Sequence, residues 1–187
     1  MRITFSFQSA FSIFLITLLS SCWTTSKFID RATFDVSKVP ADFNPSKHIL
    51  LFAEMPRLNN PKQRNPSVTN KMDKVLKEKY PHKYEIVSLQ DIFENKTKYG
   101  DTSVYKYAVL NSLSSVTHST TTTTTRTDNT GTHSWSVSPS ARTTYIDYGF
   151  YDRVKGTQYP KSGNSSPKLD YAVTAFIELI NRAKQKK

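Results

Sequence analysis

The sequence predicts an α/β fold: a small mixed sheet of four to five strands with a β-α-β start, a long Ser/Thr-rich hairpin and a carboxyl-terminal packing helix. Three observations predict it. Residues 48–55 (HILLFAEM) form a continuous apolar run, as in a strand buried on both faces of a sheet. Apolar residues recur at helical spacing twice, at Val68, Met72, Val75 and Leu76, and at Leu169, Ala172, Val173, Phe176, Ile177 and Ile180. Between those helices, two Thr-rich arms flank the turn signal Asp128-Asn129-Thr130-Gly131.

The elements follow in order. Pro56 stops the first strand, and residues 57–66 read as a polar, Pro-containing loop. Ser67 or Thr69 can cap the first helix, and Pro81 ends it. Residues 84–89 (YEIVSL) give a second short strand, and strand-helix-strand at this spacing defaults to a right-handed unit. Residues 104–110 read as a third strand and 145–151 as a fourth. Residues 152–156 make a turn in which Gly156 is free to take positive φ, and 157–159 return as a brief strand. Ser166 caps the last helix, with Pro167 at its first position.

Residues 112–144 stand apart, because 20 of the 33 are Ser or Thr and Thr120 to Thr125 is unbroken. Thr favours strands. A turn centred on 128–131 sets Val109 opposite Phe150 and Tyr107 opposite Asp152, so the apolar strands pair at the base of one long hairpin. The alternative is a flexible polar loop; the reading taken is an ordered base with a mobile tip. Thr ladders can bind glycan or ice, and a solvated hairpin without a ligand is the plainer case. His118 and His133 flank the tip but are not opposite each other, and two histidines without a third ligand make a poor metal site.

At 187 residues the chain holds one domain with tails. With 37% hydrophobic and 12% aromatic residues it is too apolar for a disordered chain. Its one cysteine excludes an internal disulfide and a cysteine-based zinc site. No glycine precedes Gly100, which removes the Gly-rich phosphate cradle after the first strand, and G-x-S-x-G, H-E-x-x-H and C-x-x-C are absent. Neither a catalytic residue, a metal nor a cofactor is expected. In open α/β sheets ligands sit beyond the carboxyl ends of parallel strands, where this chain offers Glu54 and Asp91. The pair could do acid/base work in an envelope-polymer hydrolase or transferase; otherwise both are loop acids, paired with Arg57 or Lys96.

The net charge is +11, from 26 basic and 15 acidic residues. Eight basic residues lie between Arg57 and Lys83 against Asp73 and Glu78. Lys71, Lys74 and Lys77 fall off the apolar stripe of the first helix, as a solvated face or as one that meets anionic lipid or an anionic envelope polymer.

The amino terminus gives the location. Met1-Arg2 precedes an apolar run at 11–19, too short at about 9 residues to span a bilayer, and small residues follow. This describes a secretory signal peptide over 1–21. Leu19-Ser20-Ser21-Cys22 resembles the lipobox of bacterial lipoproteins. The resemblance implies that Cys22 is alkylated by a diacylglycerol and becomes the new amino terminus, leaving 166 residues. Residues 22–46 then read as a tether, part of which can pack as an edge segment through the apolar Phe28, Phe34, Val36, Val39 and Phe43, and 47–187 as the domain, with 112–144 inserted. Trp23 after the lipidated cysteine resembles outer-membrane sorting. The domain itself is similar to small α/β domains of envelope lipoproteins, such as the amino-terminal domain of the Tol-system propeller protein and the periplasmic domain of the curli-secretion lipoprotein. The strand at 48–55 with its helix carries this likeness, together with the late hairpin Tyr148-Gly149-Phe150-Tyr151-Asp152-Arg153 and the closing helix. It implies an adaptor or assembly factor, with a membrane and another envelope protein as partners and no nucleic acid. A glycan-binding module using the Thr ribbon is the other non-enzymatic reading.

Overall fold

The computed structural model describes residues 32–57, 60–94, 98–119, 121–128, 131–137 and 140–185. The signal peptide, Cys22 and Trp23 lie outside them. The chain order is β1 (Leu50–Ala53), β2 (Pro56–Arg57), β3 (Asn60–Arg64), α1 (Pro66–Lys79), β4 (Tyr84–Val87), α2 (Leu89–Glu94), β5 (Tyr107–Ser119), β6 (Thr122–Asp128), β7 (Gly131–Val137), β8 (Ser140–Asp152), β9 (Thr157–Gln158) and α3 (Leu169–Gln185). The main sheet has the order β4-β1-β5-β8-β9, with β1 parallel to β4 and β5, and β8 antiparallel to β5 and β9. This is the mixed five-stranded sheet that the sequence predicts.

All four residues of β1 are buried, because the strand is central and covered on both faces. Leu50 and Phe52 face a core built with Met72 and Leu76 of α1 and Phe176, Leu179 and Ile180 of α3. Leu51 and Ala53 face a smaller core with Val87, Ile92, Tyr99 and Ala108. The two-residue period of the strand thus divides one apolar run between two layers. Rings cross the larger core in contact, with Phe150–Phe176 centroids at 5.2 Å and Phe52–Phe176 at 6.3 Å.

Several local expectations are corrected. The stretch at 57–66 is not a loop: β2 and β3 pair as a short hairpin. Asn65, not Ser67 or Thr69, caps α1; its side chain accepts from the Val68 N–H, and Pro66 takes the first turn. The second strand ends at Val87, and Leu89 opens the additional helix α2. The third strand begins at Tyr107, not 104. Ser166 is not the cap of a helix that starts at Pro167. It makes an isolated bridge to Ile146, and α3 begins at Leu169.

In the described part of 22–46, from residue 32 onward, the apolar residues pack on the domain, as the edge-segment alternative has it. A 3-10 turn at Val36–Lys38 leads Val39 and Phe43 into the main core, where the Phe43 ring lies 5.0 Å from that of Phe150. Replacement of Phe43, 4% exposed, by Ala should therefore cost about 3–5 kcal/mol in urea unfolding, the range for a buried aromatic. A loss under about 0.5 kcal/mol, typical of a surface site, would exclude this segment from the folded unit.

Candidate functional site

The two acids at the ends of the parallel strands are held by separate local structures. Glu54 is half-buried after β1, its backbone N–H bonds Val87 O at 2.8 Å, and its Oε1 lies 3.3 Å from Arg64 Nη1. The ion-pair partner of Glu54 is Arg64 of β3, not Arg57; Lys96 lies outside the described residues. Asp91 serves the start of α2: Ser88 Oγ donates to its Oδ2 at 2.7 Å and accepts from its N–H at 3.1 Å. A shallow groove beside Glu54 is lined by Thr69, Asn70, Asp73, Lys77, Tyr84, Glu85 and Ile86, without Asp91. The geometry supplies a structural role for each acid and no shared reacting position.

Lys71, Lys74 and Lys77 are exposed on α1, as the helical period requires. Lys77 Nζ pairs with Asp73 Oδ2 at 2.6 Å, and Tyr84 Oη donates to Asp73 Oδ1 at 2.9 Å. Lys71 and Lys74 have no carboxylate partner among the described residues.

A further concave surface among the described residues was not legible in the sequence. It is a half-open cleft of about 1000 Å³ between residues 36–48, Lys106, Tyr159 and the end of α3 at Ile180, Ala183 and Lys184. Asp42 anchors it, accepting from both Lys106 Nζ and Tyr107 Oη. Those two donors hold its carboxyl well below the usual carboxylate range. His48 stands edge-on to Tyr107, with centroids at 5.6 Å, and its Nδ1 accepts weakly from Asn44 N–H at 3.4 Å. Burial, with the Lys106 charge second, pushes the imidazole below its ordinary value. Among the described residues no hydroxyl or thiol is hydrogen-bonded to His48, and the one carboxylate is already neutralised. The cluster therefore ties the amino-terminal segment to β5, and it lacks the linked nucleophile and base of a covalent catalyst. No group of three His, Cys, Asp or Glu able to hold a metal occurs among the described residues.

The Ser/Thr segment is the other exposed feature. Its predicted register is realised: Tyr107 faces Asp152, Val109 faces Phe150, and the pairing continues to Ser119–Ser140. Across the break, β6 and β7 keep the same register, from Thr122–Val137 to Asp128–Gly131. His118 faces Ala141 and His133 faces Arg126, so the two histidines are not opposed. From Ser114 outward the described β5 side chains are exposed. The contour from Ser114 to Asp128 is about 50 Å at roughly 3.3 Å per residue. Hydroxyl pairs cross the ribbon at Ser115–Thr144 (3.2 Å), Thr123–Ser136 (3.1 Å) and Thr125–Ser134 (3.2 Å). Residues 112–144 hold two Arg and one Asp, so almost none of the chain's charge of +11 lies there.

Asp42 also sets a pH dependence. Its lowered folded-state pKa means that the stability it adds is present above the unfolded carboxylate range, near pH 4, and is lost as pH falls through the folded value. With 55% of the side chain exposed, the Lys106 pair is worth no more than about 1 kcal/mol. Asp42→Asn should lower stability at pH 7 by that order, and the gap from wild type should close as the pH falls below 4. A gap that does not depend on pH would assign the effect to packing instead.

No protein-family model matches this chain, and no curated protein matches it.

Proposed function

We propose that this chain is a lipid-anchored protein of the bacterial cell envelope, sorted to the outer membrane, which binds a partner through its Ser/Thr ribbon and catalyses no reaction of its own. The ribbon is the observation that carries the reading. It extends the β5–β8 ladder for about 15 residues beyond the last buried pair, where it adds nothing to either core. An isolated two-stranded ribbon is marginal in water, so one this long gains stability from something that binds it.

Leu19-Ser20-Ser21-Cys22 supports the anchor. Because residues from 32 onward belong to the domain, only 22–31 can act as a free tether. Ten residues reach at most about 35 Å, less than half of what the whole 22–46 segment would allow. The body therefore stays near the lipid surface, while the ribbon contour of about 50 Å exceeds the tether. Lys71 and Lys74 suit an anionic surface, each worth about 1 kcal/mol there. The ribbon, nearly uncharged, suits a neutral, hydrogen-bonding partner instead.

Two measurements test this. A clickable palmitate analogue should label the wild-type chain in a bacterial host and not Cys22→Ala; label on neither removes the lipid anchor. Deletion of residues 114–145, the pairs beyond Leu113–Ile146, should leave the two cores of the body and the membrane fractionation unchanged, while capture on isolated envelopes falls at least tenfold. Capture that survives the deletion moves the binding site off the ribbon.

A further inference from the structure

The two outer edges of the ribbon are unlike. The β8 edge is closed at its base: Tyr159 N–H bonds Phe150 O at 2.8 Å, Ser162 N–H bonds Tyr148 O at 2.7 Å, and Ser166 bridges Ile146. Further out it carries Arg142, and Pro139, which has no N–H to donate, comes just before the strand. Charge and proline are the devices by which natural sheets keep a strand edge from pairing.

The β5 edge has neither. β1 pairs with it only at Ala108 and Val109, and the Asn111 side chain caps the end of β1 by donating to Ala53 O and Glu54 O, at 3.3 and 3.1 Å. From there, residues 112–119 (SLSSVTHS) contain no Lys, Arg, Asp, Glu or Pro. Among the described residues no backbone bond is made on their outer side. Near the centre lies Val116, a large apolar side chain left 44% exposed.

Resting on the reading of the ribbon as a docking arm, we propose that its partner is a second copy of this chain, joined antiparallel along the outer edge of β5 with Val116 at the two-fold axis. The charge distribution favours a copy. Two bodies of high positive charge repel, and the nearly neutral ribbon is where they can meet at least cost. The side chains favour it too. The ribbon already pairs hydroxyl with hydroxyl across its strands, and a second ribbon extends the same ladder to four strands. Two unguarded edges joined about a two-fold axis consume each other, so the assembly closes at a dimer. The shared membrane raises the effective concentration of the arms.

The geometry makes the test selective. At the axis, Val116 of one copy is opposite Val116 of the other, with Cα atoms about 5 Å apart. Ser119, three residues away, is opposite position 113 and lies roughly 20 Å from its own counterpart, out of disulfide reach. Single cysteines are placed at Val116→Cys or Ser119→Cys in the full chain carrying Cys22→Ala, purified in mild detergent. Under a mild oxidant, Val116→Cys should run largely at twice the monomer mass on a non-reducing gel, and Ser119→Cys should not. Light scattering should give a dimer for the Cys22→Ala chain, and a monomer with an unchanged circular dichroism spectrum once Val116→Lys is added. A monomer before that change, or equal cross-linking at both positions, overturns the dimer. Envelopes from cells that lack this chain should not capture it; capture there that Val116→Lys abolishes would mean that the edge takes a strand of another protein, and would overturn the second copy as partner. On envelopes that carry the chain, Val116→Lys should abolish capture, and capture that persists there overturns the edge as the docking surface.

Discussion

The pairing of β5 with β8 is the constraint on which the rest of the molecule depends. It runs without a break over 13 residues of each strand. At its inner end it turns Tyr107, Val109, Tyr148 and Phe150 toward α1 and α3, and Ala108 toward the opposite core. A slip of one residue would exchange these faces and expose the aromatic cluster. The same ladder positions Phe150 for the ring contact that holds Phe43, and so decides whether the amino-terminal segment has a place to dock.

Polar locks surround this ladder. Arg153, at the turn after β8, is 5% exposed; its Nε donates to Ile92 O at 3.0 Å, and its Nη1 to Tyr99 O at 2.7 Å and Tyr105 O at 2.8 Å. One guanidinium thereby joins α2, the segment after it and the entry to β5, where those carbonyls would otherwise be buried unpaired. Asp152 Oδ1 accepts from the N–H groups of Val154 and Lys155 and shapes the turn that Gly156, at φ 64°, completes. Gly149 lets the following loop close on β8: a Cβ there would lie 3.4 Å from Tyr159 O.

The body and the ribbon divide the labour of the sequence. Apolar and charged residues are spent in the body, which forms two cores and carries nearly all of the net charge. The ribbon holds hydroxyls, few charges and one unguarded backbone edge, along β5, so its interactions are hydrogen bonds of a sheet type.

Local pattern alone determined much of this. The apolar run at 48–55 and the helical periods gave β1, α1 and α3, because burial on both faces and burial on one stripe leave different spacings. The turn signal at 128–131 gave the whole hairpin register, because antiparallel pairing is fixed once its turn is placed. The lysines of α1 were legible as exposed for the same periodic reason. The roles of Glu54 and Asp91 were not, since Arg64 and Ser88 occupy them through contacts that no motif announces. Nor were the cleft, the partners of Asp42 and the buried Arg153. Asp42 meets Lys106 across 64 positions of chain, and Arg153 meets Ile92 across 61. Such contacts are chosen by which surfaces the packed sheet brings together, and only the tertiary structure decides that.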